Sequence, residues 1–203
     1  MPHARQIGYH LPRSLAPPIY AHLPALGLVR NPWSYYVSWY SFQARRQQPN
    51  ALFRIMSDDR RLDFSGTLRN LLQLGTTGHL LDELLAALPP VYVNRGINLP
   101  SFALAPIRGS NLGFYSYLYR YMYDGVGVLH VGRMETMRAE LEKMFESVGQ
   151  PVTPALSRYI AEEPPRNVSE HGGYRDYYDD ALRDLVAECD ALIIQRHGYR
   201  FGD

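Results

Sequence analysis

Leu28-Val29-Arg30-Asn31-Pro32-Trp33-Ser34-Tyr35-Tyr36-Val37-Ser38-Trp39-Tyr40 is the stretch on which the reading of the fold turns. The apolar residues Ala25, Leu26, Leu28 and Val29 lead into it and predict a short buried strand that ends on Arg30. Asn31-Pro32 then turns the chain, because proline fixes its own φ and suits the first turn of a helix. Trp33, Tyr36, Val37, Tyr40 and Ala44 recur at helical spacing and predict a helix over 33–46. Arg30 is therefore expected at the C-terminal end of a strand, with Ser38 eight residues later on the helix that follows. In an open α/β sheet that edge is where ligands bind. A guanidinium and a hydroxyl aimed there suit a phosphate, which takes bidentate arginine contacts well.

Working outward, Arg30-Asn31-Pro32 with Ser38 and the aromatic Tyr40 resembles the 3′-phosphate-binding segment of the sulfotransferases that use 3′-phosphoadenosine 5′-phosphosulfate (PAPS). His10-Leu11-Pro12 is similar to a His-Leu-Pro that precedes this segment in many relatives. Val131-Gly132-Arg133-Met134-Glu135 is similar to a strand end that leads into a family helix. Asn167-Val168-Ser169-Glu170-His171, Tyr174, Tyr177-Tyr178-Asp179, a Leu182–Ile194 helix and Gly198-Tyr199-Arg200-Phe201 resemble the family's carboxy-terminal run. The likeness covers most of residues 7–46 and 126–202, whereas 50–115 resembles nothing we can name.

The resemblance implies one domain over 1–203 with a P-loop-NTPase-like architecture: three layers, a parallel sheet flanked by helices. It implies transfer of a sulfuryl group from PAPS to a hydroxyl or amine of a small-molecule or carbohydrate acceptor, in line and without a metal. Arg30 and Ser38 would hold the 3′-phosphate, with Arg166 and Ser169 on a loop folded over the cofactor. His10 would be the general base, since imidazole has a suitable pKa for taking the acceptor proton.

The same family opens with a strand, a glycine-rich turn carrying lysine, and a helix that together wrap the 5′-phosphosulfate. Nothing before Arg30 fits that pattern: residues 1–24 hold Gly8 as their one glycine among five prolines. Lys143, the chain's one lysine, sits in Glu140-Leu141-Glu142-Lys143 and reads as a solvated helix residue. Gly75-Thr76-Thr77-Gly78 has no lysine and no strand leading into it; it reads as a turn between helices, with Thr77 as a cap. The expectation is thus either a sequence that starts downstream of the family's first strand–loop–helix or a family member that has lost that half of its cofactor site. The non-catalytic alternative is a truncated or degenerate domain with a nucleotide-binding or protein-interaction role. A third reading is a chain that receives the missing strand from a partner at an exposed sheet edge.

Composition narrows the field further. Net charge is +1, which points to neither nucleic acid nor an anionic membrane surface. The single cysteine, Cys189, lies on an apolar helix face and suits a reducing, cytoplasmic setting. No apolar run approaches the length of a membrane span, and the seven histidines lack metal-ligand spacing. Arginine outnumbers lysine so heavily that a GC-rich genome is the simplest explanation.

Strands are expected near 6–9, at 126–131 and before Arg30, with a short one at 91–93. Helices are expected over 65–74, 79–88 and 134–148, and Asp179 reads as the N-cap of the last helix. Residues 49–62 read as irregular. The alternating tyrosines of 114–123 favour a strand, packed on one aromatic face rather than lining an acceptor groove. Glu135 reads as a favourable acid in the first turn of the 134–148 helix.

Overall fold

The computed structural model describes residues 10–94, 98–125, 127–164 and 171–203. Among them, strand β1 (Ala25–Val29) leads into helix α1 (Pro32–Arg45). Helices α2 (Ala51–Met56), α3 (Phe64–Leu72), α4 (Gly78–Ala87), α5 (Ser101–Leu104) and α6 (Phe114–Tyr123) follow. Strand β2 (Leu129–Arg133) comes next, then α7 (Met137–Ser147), α8 (Pro154–Glu162), α9 (Asp180–Cys189) and α10 (Ala191–His197).

Local chemistry accounts for the helix starts. Asn31 Oδ1 accepts from Trp33 N at 3.1 Å and Ser34 N at 3.4 Å, and Pro32 occupies the first turn of α1, where a missing N–H costs nothing. Asp63 caps α3 through Gly66 N at 2.8 Å, and Asp179 caps α9 through Leu182 N at 2.6 Å. Gly75–Gly78 does join two helices, although Thr77 makes no side-chain capping bond.

Helix α1 forms the centre of the core. Tyr36 and Val37 are fully buried, and α2, α3 and α9 pack around α1. Leu68, Leu71, Leu81, Leu84, Leu182 and Val186 complete this helical interior. On the far side of the sheet, α7 covers β2 and α8 covers α7, with Met144 as the buried residue of α7. The apolar contribution of α7 is therefore thin, and Met134, which precedes it, is exposed.

The expected three-layer parallel sheet is not what forms. Among the described residues the sheet has two strands, β1 and β2, parallel and in register from Ala25 opposite Leu129 to Val29 opposite Arg133; the rest is mostly helical. The expected strand near 6–9 lies outside the described residues.

Residues 114–123 show why the sheet stops at β1. They form a helix, not a strand. Tyrosine at every second position satisfies both periods, because a spacing of four is even and is also one helical turn. Tyr115, Tyr119 and Tyr123 make one row of α6, while Tyr117 and Tyr121 make another that bonds Ala103 O and the Tyr92 hydroxyl. Ala25 N bonds Val128 O at 2.9 Å, so alternate residues of β1 address β2 and the others address the opposite edge. On that opposite edge Arg30 N donates to the Tyr115 hydroxyl at 2.8 Å, and the Tyr123 phenol lies against the backbone at Gly27 and Leu28. Helix α6 thus caps the edge of β1 with phenols, where a further strand would otherwise add. Gly27 allows this approach: a Cβ there would stand 2.3 Å from the Tyr123 oxygen.

Residues 51–56, expected to be irregular, form α2; its start is capped by Asn50 and its buried face is Leu52, Phe53, Ile55 and Met56. No strand forms at 91–93. The expected last helix breaks at Asp190 into α9 and α10.

Candidate functional site

Parts of the segments singled out by sequence meet at the ends of the two parallel strands: Val29–Trp33, Glu135, Tyr178 and Tyr199–Arg200. Arg30 follows β1 directly and is half-buried. Its amide is held by Tyr115, and its side-chain Nε donates to Ser34 Oγ at 3.0 Å. Among the described residues its terminal guanidinium nitrogens make no hydrogen bond. Arg30 therefore meets Ser34, one turn before the expected Ser38. Ser38 is half-buried on α1, four residues further along the same helix face, about 6 Å up the axis at the usual rise.

The start of α1 is closed on all sides. Asn31 N donates to Glu135 Oε1 at 2.7 Å, and Asn31 Oδ1 takes the Trp33 and Ser34 amides. Asn31 Nδ2 donates to Arg200 O at 3.0 Å. A phosphate at this end would consequently be held by Arg30 and hydroxyls, not by the free amides of a helix terminus.

Glu135 does not serve as a first-turn acid for its own helix. Residues Met134–Thr136 form a 3-10 turn between β2 and α7, and the carboxylate reaches back to α1. The Tyr199 hydroxyl lies 2.9 Å from Val29 O and 3.1 Å from Glu135 Oε2, so its single proton is shared between two acceptors. Burial and the Glu135 charge push the Tyr199 phenol well above its ordinary pKa. Arg133 donates to His197 O and to Gly198 O at 3.2 Å, and its guanidinium stacks 4.9 Å above the Tyr199 ring. The carboxy-terminal run completes the closure: Trp33 Nε1 donates to Arg183 O at 3.0 Å, Tyr178 donates to Trp33 O at 2.9 Å, and Phe201 meets the Trp33 ring edge-on at 5.6 Å.

Beneath Arg30 lies a buried polar relay. Asp190, with no exposed surface, accepts from the Tyr36 hydroxyl at 2.6 Å and from Ser116 N at 2.8 Å. The same Tyr36 oxygen accepts from Tyr115 N at 3.1 Å, and the Tyr115 ring stacks on Tyr35 at 3.8 Å and 5°. Burial raises the Asp190 carboxyl above the usual carboxylate range, opposed by its bonds from Tyr36 and Ser116. Burial and the Asp190 charge likewise push Tyr36 well up, and burial does the same to Tyr115, so both phenols keep their protons. Gly113 makes room for this crossing, with its amide on Cys189 O at 2.7 Å and no space for a Cβ beside Asp190.

His10 is exposed at the first described position, with a backbone φ of 50° in the left-handed region. Partial burial of its ring holds its pKa below the ordinary histidine value. Arg166 and Ser169 lie outside the described residues. Lys143 is on the α7 surface, 3.8 Å from Glu140 and 72% exposed, so it has no part in the strand-end cluster. No group of His, Cys, Asp or Glu among the described residues could hold a metal ion, and no helix there is long and apolar enough to cross a membrane. A separate polar hollow of about 540 Å³ opens between α2, α3 and α4, lined in part by Arg54, Asp59, His79 and Glu83; neither Arg30, Ser38 nor His10 lines it.

Sequence reasoning passed over Ser34, Tyr115 and Asp190. Asp190 carried a signal, since it falls on the buried stripe of Leu182, Val186 and Ile193, where an acid must find partners. Tyr115 carried none, being one of five alternating tyrosines. No protein-family model, no characterised protein and no solved structure matches this chain.

Proposed function

We propose that this chain binds the 3′-phosphate of a phosphoadenosine nucleotide, PAPS or the bisphosphate left after transfer, through Arg30 with Ser38. The single observation behind this is Arg30 itself: its backbone and Nε are fixed, and among the described residues its terminal nitrogens are uncommitted. A guanidinium held in that way loses little conformational freedom when it takes a phosphate. Sulfuryl transfer to a hydroxyl or amine of a small-molecule or carbohydrate acceptor, with His10 as base, is the reaction that the resemblance attaches to such a site. The lowered pKa of His10 keeps its imidazole neutral near pH 7, as a base requires. A cytoplasmic setting belongs to the same reading.

The second reading, nucleotide binding without transfer, is favoured by the position of Lys143. The chain's one lysine is committed to a surface pair on α7, so nothing among the described residues supplies the lysine that would balance charge on the leaving phosphate. The deciding experiment is calorimetry with adenosine 3′,5′-bisphosphate on the wild type and Arg30→Ala, beside turnover of a radiolabelled donor. Binding by the wild type and a loss of about tenfold or more in the variant support the site. Equal affinity in both removes Arg30 from it. Turnover separates the transferring from the binding-only reading.

A further inference from the structure

The relay beneath Arg30 is a buried polar network that the proposed binding does not explain by itself. Asp190 interrupts what would be one continuous helix and has no contact with solvent. A lone carboxylate in such a place is costly, and an apolar residue of similar size would serve packing as well. Its oxygens instead fix two things: the hydroxyl of Tyr36 on α1 and the amide of Ser116 in the first turn of α6. Tyr36 in turn holds Tyr115 N, and Tyr115 reaches out of that turn to Arg30 N.

We propose that Tyr115, oriented by Asp190 through Tyr36 and by its stack on Tyr35, is the positioning residue that sets Arg30 for anion binding. The proposal rests on the phosphate-site reading above. Geometry supports it at both ends. The phenol is clamped between a parallel ring at 3.8 Å and a backbone amide 2.8 Å from its oxygen, so its place is defined from two directions. Arg30 lies between the last residue of β1 and the cap of α1, where the Tyr115 bond fixes the backbone from which the guanidinium projects. The raised pKa of the phenol leaves a neutral hydroxyl there across the physiological range. Tyr123 provides an internal comparison, because it performs the same edge-capping at Leu28, away from the arginine.

The test pairs Tyr115→Phe with Tyr123→Phe in the full chain. Each keeps its ring and loses one hydroxyl. Affinity for adenosine 3′,5′-bisphosphate is measured by calorimetry, and exchange of the Arg30 amide by NMR or mass spectrometry. Tyr115→Phe is expected to weaken binding about tenfold, the scale of one lost hydrogen bond, and to speed exchange at Arg30 by at least as much. Tyr123→Phe is expected to leave affinity within about twofold. Asp190→Asn, which keeps the shape and one acceptor oxygen, is expected to fall between them. If the wild type binds and Tyr115→Phe binds equally well, the positioning role is overturned while the Arg30 site stands. If both phenylalanine variants weaken binding alike, the effect belongs to the strand as a whole and the proposal fails. If the wild type does not bind the bisphosphate, the phosphate-site reading fails and the role assigned to Tyr115 falls with it; the calorimetry alone separates that case from the first.

Discussion

The Asn31 amide donates to Glu135 Oε1 at 2.7 Å across 104 residues of chain, joining the start of α1 to the end of β2. That bond places a carboxylate where a helix N-terminus would otherwise attract an anion. It also shares the Tyr199 proton with the last carbonyl of β1, so one acid ties together both strands, α1 and the carboxy-terminal run.

Glu135→Gln separates the two effects of this acid. The amide oxygen can still accept from Asn31 N, so stability is expected to fall by only about 1 kcal/mol, whereas Glu135→Ala should cost about 1–3 kcal/mol by leaving the amide unpaired. Removing the negative charge from the Asn31 amide, one residue after Arg30 in the chain, should tighten binding of adenosine 3′,5′-bisphosphate by about threefold or more at low salt, and less at high salt. Denaturant melts and calorimetry at two ionic strengths check both parts.

Tyr36→Phe strands two buried groups at once, Asp190 Oδ2 and Tyr115 N–H. The ring is otherwise unchanged, so the loss reports the hydroxyl alone. A destabilisation of about 2–4 kcal/mol is expected. Equilibrium urea unfolding measures it; a change under about 0.5 kcal/mol would mean that water or a shifted side chain already serves these groups.

The raised pKa of Asp190 gives a pH signature with a definite sign. The folded state binds this proton more tightly than the unfolded chain, whose carboxyl titrates near 3.8. Asp190 therefore favours folding most when the pH is below its unfolded value. That contribution is lost as pH rises through the raised folded value. Other acids titrate in the same region, so the comparison is with Asp190→Asn. As pH falls from 7 toward 4, the wild type should gain stability relative to the asparagine variant, and the gap should stop changing below the unfolded pKa. A gap that is flat with pH would show that Asp190 has an ordinary pKa.

Much of this fold was legible where local and tertiary demands agree. The strand ending before Arg30, the helix after Asn31-Pro32, the α3–α4 pair with its Gly75–Gly78 turn, and the Asp179 cap all follow from capping chemistry and apolar spacing. Helix α2 was hidden because Arg54 and the following Ser57-Asp58-Asp59-Arg60 mask a four-residue buried face. Helix α6 does not read as a helix because alternating tyrosines fit two periods. The three-layer sheet was implied by the resemblance, and it does not form: at the outer edge of β1, where a further strand could add, α6 instead supplies phenols. At the site, Arg30 could be placed from sequence because its neighbours dictate where a strand must end. Its partners could not, since Ser34, Tyr115 and Glu135 meet it or Asn31 through contacts that no local pattern announces.

Gly27→Ala tests the claim that α6 replaces a strand. The added methyl would stand 2.3 Å from the Tyr123 oxygen and 2.6 Å from its ring carbon, well inside contact distance. Tyr123 is the long side chain here and the strand backbone is the fixed partner, so the phenol must swing off the backbone at Gly27 and Leu28. The variant should lose about 1–3 kcal/mol, the usual range for overpacking, although alanine is otherwise the better strand residue. Exchange at the Leu28 amide should rise sharply while Arg30, held by Tyr115 two turns of α6 away, stays protected. Combining Gly27→Ala with Tyr123→Phe should recover part of the loss, because removing the hydroxyl removes the closest clash, and the two changes should be far from additive. Additive losses, or an unchanged Leu28 exchange rate, would show that Tyr123 does not close this edge.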